Sequence, residues 1–208
     1  MKKIIVGITG ASGAIYSLRL IEFMIRHELK LHIIISENGC KVLKYETGID
    51  LKEQVDAWNK SKAEMIKAET IRAEIILEDN TNMFSAVASG SYRCDAMVII
   101  PCSMSTLAEI ANGITKTLLT RTADVMIKEQ RKLVIVPRET PLSPIHLKNM
   151  YELSKLGITI LPAMPGFYNK PSTVDDMVGF VVGKVLDSLG IDNNCYLRWA
   201  SQDVKEKE

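Results

Sequence analysis

Runs of apolar residues recur along the chain, each closed by a loop and followed by a helical pattern. Ile4 to Thr9, Leu31 to Ser36, Ala96 to Pro101, Leu133 to Pro137 and Ile158 to Pro162 are nearly continuously apolar, as parallel strands covered on both faces are. Ile75-Ile76-Leu77 adds a further short strand. Leu18, Leu20, Ile21, Met24 and Ile25 give the first helix an apolar face, and Met177, Phe180, Val181, Val185 and Leu189 mark the last at helical spacing, with Lys184 a cation near that otherwise apolar face. Between Leu51 and Thr70 the chain is charged and helix-prone, which predicts a solvated helix. Strand and helix alternating in this order predict an α/β fold, a doubly wound parallel sheet with helices on both faces.

With 208 residues the chain is long enough for one full core, and no repeat or low-complexity linker divides it. The expectation is one domain over residues 1–208, with an ordered core over about 1–200 and a loose tail over 201–208, Val204 to Glu208 being its end. A net charge of +1, from 26 basic and 25 acidic residues, removes the case for nucleic-acid or membrane-surface binding through bulk charge. The apolar run after Met1-Lys2-Lys3 breaks at Gly7 and Gly10, short of a signal segment. Cys40, Cys94, Cys102 and Cys195 form no C-x-x-C pair, which indicates neither a disulfide framework nor a zinc site and points to a reducing, cytoplasmic setting.

Chemistry concentrates where strands end. The run Leu133-Val134-Ile135-Val136 stops at Pro137 and opens into Arg138-Glu139-Thr140-Pro141-Leu142-Ser143-Pro144. Ligands of open α/β sheets bind outside the carboxyl ends of the strands, so a cation and a carboxylate held between prolines are placed for chemistry. A surface ion pair in a turn, worth little for stability, is the plain alternative. Between the first strand and first helix lies Gly7-Ile8-Thr9-Gly10-Ala11-Ser12-Gly13-Ala14. Backbone N–H groups at such a helix start favour a phosphate or another electron-rich group. Its G-x-x-G-x-x-G spacing matches neither the dinucleotide fingerprint nor a P-loop. Glu37, after the second strand, suits either a ribose contact or the first turn of the next helix.

Pro101-Cys102-Ser103-Met104-Ser105-Thr106-Leu107 brings three hydroxyls to another helix start, more than capping requires. They suit the polar edge of a flat cofactor or its phosphate. Cys102 has no histidine near it in sequence and is read as a small buried hydrophobe. His27, His32 and His146 fall at a helix end, in a strand and at a helix start, with no metal-ligand pattern. Ser89-Gly90-Ser91 precedes the Ala96 strand, and small residues there let a phosphate approach the backbone. Arg121 and Lys128, seven apart, share one helix face. Tyr168 stands in a Pro- and Gly-set turn after the Ile158 strand. All these groups are expected to point toward one crevice.

In sum the chain resembles, closely and over nearly its whole length, the UbiX family of flavin prenyltransferases. The resemblance rests on GITGASGAIY, Glu46 in YETG, PCSMSTL, LLTRTADVMIKE, PRETPLSPIHLKNM and LPAMPGFYNKP, six blocks in one order. It implies a Rossmann-like, flavodoxin-like fold that binds FMN and adds a dimethylallyl group from dimethylallyl phosphate to N5 and C6 of the reduced flavin, making the cofactor of UbiD-type decarboxylases. By the same resemblance Gly10, Ala11, Ser12, Ser36, the Ser103, Met104, Ser105 and Thr106 stretch and Arg121 contact FMN. Ser12 and Glu46 lie near the reacting flavin edge, where they orient groups and move protons. Ser89, Gly90, Lys128, Arg138, Glu139, Tyr168 and Lys184 surround the dimethylallyl phosphate, with Glu139 accepting a hydrogen bond from a protonated phosphate or orienting the cations.

The resemblance also implies a homododecamer built from trimers, with neighbouring subunits completing the active sites, and positive side chains in place of Mg²⁺. There is no Asp-rich metal motif. One departure stands out: where family members often carry a tryptophan before the Ser-Gly-Ser segment, this chain has Asn82-Met83-Phe84. Met83 covers an apolar tail but offers no π face to an allylic cation, which bears on substrate length and rate more than on reaction class. Lys184 keeps the charge of a basic family position without bidentate geometry. Two other readings are a flavin-dependent cysteine decarboxylase and an FMN-binding accessory subunit without catalysis. Against the first, a family that uses a catalytic histidine, PCSMST stands where that family carries PASANT; for the second, Glu46, Glu139 and Lys184 are superfluous.

Overall fold

The computed structural model describes residues 1–63 and 71–199. The end of the charged stretch up to Thr70, and the expected tail over 201–208, lie outside the described residues. Among the described residues six parallel strands, β1 (Lys2–Ile8), β2 (Leu29–Ile35), β3 (Glu74–Glu78), β4 (Ala96–Cys102), β5 (Lys132–Pro137) and β6 (Thr159–Ile160), form one sheet in the order β3-β2-β1-β4-β5-β6. The chain winds outward from β1 to β3, then returns to β4 on the other side of β1, so the order reverses between β1 and β4. That reversal opens a crevice at the carboxyl ends of these two strands.

Among the described residues seven α-helices cover the sheet: α1 (Ala14–Met24), α2 (Glu37–Thr47), α3 (Leu51–Ala63), α4 (Met104–Ala111), α5 (Leu118–Lys128), α6 (Pro144–Lys155) and α7 (Val174–Leu189). Successive strand residues point to opposite faces, and the near-continuous apolar runs therefore feed two cores. Ile4, Val6, Ile8, Leu31, Ile33, Val98 and Val134 pack with α1 and α7. Ile5, Ile34, Met97, Ile99, Leu133 and Ile135 pack with α4, α5 and α6.

α3 departs from the solvated helix expected here. Leu51 and Val55 are buried and Trp58 packs against the first core, because three apolar positions at a spacing of three to four make one buried stripe in an otherwise charged helix. The short run at Ile75 is a full strand, protected on one side only by β2.

The ends of β1 and β4 are joined by a backbone bond from the Thr9 N–H to the Pro101 carbonyl at 3.2 Å and by one buried side chain. Thr9, 2% exposed, donates through Oγ1 to the Pro101 carbonyl at 2.8 Å and accepts from the Ser103 N–H at 2.7 Å. Pro101 has no N–H to give the ladder, and the β4–β5 register shifts between Ile99 and Cys102, as a proline in a central strand demands. The Thr9 hydroxyl supplies the bonding that the bulge removes. Thr9→Val keeps the shape and the backbone bond from the Thr9 N–H to the Pro101 carbonyl but leaves the Ser103 N–H unsatisfied, so unfolding by urea should show a loss of about 1–3 kcal/mol; an unchanged midpoint would contradict this account.

Candidate active site

The crevice at the strand ends is a cleft of about 830 Å³, within the span of roughly 300–1,000 Å³ usual for cofactor pockets. Gly10 lies on it, and a Cβ there would sit 2.6 Å from the Asn38 Cβ, so only glycine lets the turn pass the start of α2. Three helices open onto it. Ser36 caps α2, its Oγ accepting from the Gly39 N–H at 3.0 Å. Ser103 caps α4, accepting from the Thr106 N–H at 3.3 Å and donating to Thr106 Oγ1 at 3.1 Å. Thr117 and Thr120 cap α5 reciprocally.

Side chains of Ser36, Ser103, Ser105, Thr106, Thr117 and Thr120 thus line the cleft beside helix N-termini. Its charged lining is Glu37, Asp50, Glu78, Asp79, Glu109 and Lys52. With carboxylates outnumbering the single lysine, an anionic group here depends on helix-start N–H groups and hydroxyls. Asn80 orders the wall opposite, accepting from the Leu118 N–H through its carbonyl at 2.8 Å and from the Leu119 N–H through Oδ1 at 3.0 Å.

Beside the cleft, the first turn of α1 holds a carboxylate. Gly13 caps that helix at φ 101°, a backbone that glycine adopts without strain. Its N–H and that of Ala14 each donate to Glu46 Oε2 at 2.9 Å. Desolvation raises the Glu46 pKa, but the Ser12 hydroxyl, the two N–H groups and the charge of Arg138 outweigh it, and the carboxyl is held below its usual value. Ser12, Glu46 and Arg138 are therefore one constellation, although 34 residues separate the first two. Arg138 Nε is buried and has no hydrogen-bond partner among the described residues. A buried orphan donor beside a cleft of hydroxyls fits an anionic ligand. Glu139 accepts at Oε1 from the Thr140 N–H at 3.0 Å. Tyr168, in the loop after β6, packs edge-on against Phe180 and Trp199, with ring centres 5.6 Å apart in each case.

Other predicted site residues lie elsewhere, which corrects the expectation of one shared crevice. Ser89, Gly90 and Lys128 gather at the opposite, amino edge of the sheet. Lys128 ends α5 just before β5 begins, and pairs with Glu129 at 2.9 Å. Arg131 donates to the Gly90 carbonyl at 2.6 Å and to that of Tyr92 at 2.8 Å, tying the Ser89 turn there. The physical reason is connectivity: α5 returns antiparallel to the strands, carrying Lys128 away from Arg138 by the length of β5, roughly 20 Å at about 3.3 Å per residue.

Arg121 also faces that segment. Its Nε donates to the Ala88 carbonyl at 3.2 Å and Nη1 to Asp124 at 2.9 Å, and it does not line the cleft. The shared helix face of Arg121 and Lys128 is real, but it looks toward residues 86–90. Met104 belongs to the second core, and Ala11 and Ser12 lie beside the cleft, outside its lining. Lys184 is exposed on α7 with Nζ 5.7 Å from the Tyr196 ring centre. Tyr196 meets Phe180 at 5.2 Å, so a row of rings connects Lys184 to Tyr168. Met83 is 40% exposed and Phe84 99% exposed.

Asn80, Thr117 and Thr120 escaped the sequence reading. Thr117 immediately precedes the LLTRTADVMIKE block and Thr120 lies inside it, and their T-x-x-T spacing at the start of a helical run was the capping signal that could have found them; Asn80 carried no signal until β3 was placed. Burial pushes the Cys102 thiol up, so it is inert packing, as expected. No group of three or more His, Cys, Asp or Glu is arranged to hold a metal ion among the described residues. No helix of the described residues is long and apolar enough to cross a membrane.

Comparison with known proteins agrees with this geometry. The Flavoprotein family model matches residues 1–186. Flavin prenyltransferase UbiX of Alkalihalophilus pseudofirmus is 49% identical over 194 residues, covering 93% of this chain and 94% of that protein. Among solved structures, AnUbiX (PadA1) in complex with FMN and dimethylallyl pyrophosphate is 36% identical at a TM-score of 0.84, covering 96% of this chain and 98% of that one. A dodecameric FMN-dependent UbiX-like decarboxylase from Escherichia coli O157:H7 is 39% identical at a TM-score of 0.83, covering 96% and 100%. A cleft of hydroxyls at the sheet reversal, a carboxylate on the first helix start and an orphan arginine donor beside it thus stand in a chain that belongs to the flavin prenyltransferase UbiX family.

Proposed function

We propose that the protein transfers a dimethylallyl group from dimethylallyl phosphate to N5 and C6 of reduced FMN, as one flavin-binding domain, and hands the product to a UbiD-type decarboxylase. The observation that carries this reading is the constellation of Ser12, Glu46 and the unpartnered Arg138 Nε at the mouth of the hydroxyl-lined cleft. Reduced FMN, once bound, supplies the nucleophilic N5 and C6. Ser36, Ser103, Ser105 and Thr106, with the helix-start N–H groups behind them, hold its polar and anionic parts, while Gly10 lets the backbone approach.

Breaking the allylic C–O bond leaves the electron pair on the phosphate. Arg138, Tyr168, Lys128 and Lys184 meet that growing charge, with Ser89 and Gly90 shaping the anion seat. Glu139 accepts a hydrogen bond from a protonated phosphate oxygen. Glu46, ionised at neutral pH because its pKa is lowered, takes the proton displaced at the flavin edge, oriented by the Ser12 hydroxyl.

The two-edged placement of these groups supports a composite site. Lys128, Ser89 and Gly90 at the amino edge of one subunit serve the Glu46 and Arg138 edge of a neighbour in a homododecamer. The exposed apolar side chains Phe84, Tyr45 and Ile145 match surfaces covered by other copies. Four free cysteines suit a reducing cytoplasm. The balanced net charge gives no general attraction to nucleic acid.

Under exclusion of oxygen, reduced FMN and dimethylallyl phosphate with the purified protein should give a flavin heavier by five carbons; the diphosphate run alongside reports which donor is preferred. Bound FMN with no five-carbon gain from either donor sinks the transferase reading. Activity should persist in EDTA, and a loss restored by Mg²⁺ would contradict the cationic site.

Glu139→Gln and Lys184→Ala should slow transfer with FMN titration unchanged. Co-expression separates shared from self-contained sites: Lys128→Ala and Glu139→Gln subunits, mixed at random, should recover roughly a quarter of wild-type activity, since a quarter of composite sites escape both lesions. Recovery of none would place both residues in one subunit's site.

Glu46→Gln should slow transfer by about 10²-fold or more. Because the folded carboxyl has a lowered pKa, the stability it adds is present above its unfolded value of about 4.3 and is lost as pH falls through the folded value. The gap in urea midpoint between wild type and Glu46→Gln should therefore be open at neutral pH and close below pH 4; a gap constant with pH would contradict the ionised assignment.

A further inference from the structure

A buried polar network lies outside every role assigned so far. His32, in the middle of β2 and 3% exposed, places Nδ1 2.7 Å from Glu78 Oε1 and Nε2 2.9 Å from the Tyr92 hydroxyl. The second Glu78 oxygen accepts from Ser85 Oγ at 2.7 Å. The imidazole and phenol rings meet edge to face, 5.5 Å apart at 84°. An Nδ1–H donating to the carboxylate leaves Nε2 to accept the tyrosine proton, so every polar atom of the ring is used. Charges around the network are engaged as well. Lys3 Nζ lies 4.3 Å from the Tyr92 ring centre, Lys30 pairs with Glu74 at 2.6 Å, and Arg131 holds the Tyr92 and Gly90 carbonyls.

Such a network is a poor way to gain stability. In register His32 lies between Ile5 of β1 and Ile76 of β3, where an aliphatic residue would pack without burying polar groups that must all be paired. What the network does is join two segments that no strand ladder joins. Glu78 closes β3 and belongs to the cleft wall that continues through Asp79 to Asn80, which accepts from the first N–H groups of α5. Tyr92 closes the Ser89 turn, its N–H donating to the Ser89 carbonyl at 3.2 Å. One imidazole thus links the cleft wall to the Ser-Gly-Ser turn, whose Gly90 and Tyr92 carbonyls Arg131 holds from the other side.

We propose that His32 is a positioning residue of the transfer reaction: through Glu78 and Tyr92 it holds the phosphate-binding Ser89-Gly90 turn at a fixed place relative to the cleft wall. The proposal rests on the transferase reading given above. A turn held in this way binds dimethylallyl phosphate without first paying to be ordered. Loosening it weakens donor binding before it touches flavin binding or chemistry.

Tyr92→Phe removes only the hydroxyl link and keeps the ring packed under Lys3, while His32→Leu removes both links and fills the site. Tyr92→Phe should raise KM for dimethylallyl phosphate about tenfold, the equivalent of one hydrogen bond at about 1.4 kcal/mol, with kcat and FMN titration within about twofold of wild type. Amide exchange over residues 85–92 in FMN-free protein should quicken in both variants. The double variant should be no worse than His32→Leu alone, because both act through one network.

An unchanged KM in Tyr92→Phe, or a KM rise accompanied by equal losses in kcat, FMN affinity and thermal stability, overturns the proposal. Should His32→Leu fail to fold, Tyr92→Phe decides by itself. Wild type run in the same assay separates the two levels: transfer by wild type with unmoved variants refutes the positioning role only, whereas no transfer by wild type refutes the function on which it rests.

Discussion

The buried hydroxyl of Thr9 is the joint on which the site depends. It donates to the Pro101 carbonyl and accepts from the Ser103 N–H, bridging β1 and β4 where the strand order reverses. A proline in a central strand interrupts the ladder, and the hydroxyl adds two bonds to the single backbone bond from the Thr9 N–H to the Pro101 carbonyl at 3.2 Å. With it, the glycine turn after β1 and the hydroxyl-rich start of α4 are held facing each other. The cleft is the gap between them, and its polarity follows from the three helix starts that open onto it.

Charge is arranged around this cleft in an uneven way. Carboxylates dominate its lining, while the cations suited to a leaving phosphate stand outside it, Arg138 at the rim and Lys128 at the far edge of the sheet. In the proposed reaction a flavin phosphate would be met by N–H groups and hydroxyls, and the departing phosphate by full positive charge. The connection rule for parallel strands accounts for the distance, since a crossover helix must run back along the sheet and α5 takes Lys128 with it.

Much of the fold was legible because the physics behind it is local. Continuous apolar runs meant strands covered twice, and the two cores bear this out residue by residue, Ile4 and Val6 on one face, Ile5 and Ile34 on the other. One serine of the Ser103 to Thr106 stretch was expected to cap a helix, and Ser103 does. Misjudgements came where a weak pattern had to be weighed against composition. Leu51, Val55 and Trp58 make a buried stripe within a charged stretch, and three positions in a window rich in lysine and glutamate are easily outvoted. Arg121 was placed on the correct helix face, but what that face looks at is decided by the 86–92 segment, far from it in sequence.

The sequence by itself determined the kinds of groups the protein has and the ends of the elements they occupy: a glycine turn before a helix, hydroxyls at a helix start, and an arginine and a glutamate after a buried strand. Periodicity and capping act over a few residues, so they can be read directly. Only the tertiary structure decided which of these meet. Glu46 reaches the start of α1 and Arg138, and His32 joins Glu78 to Tyr92 across three segments. Lys128 ends on the opposite edge from Glu139, because such meetings depend on strand order and crossover direction, which no local pattern encodes.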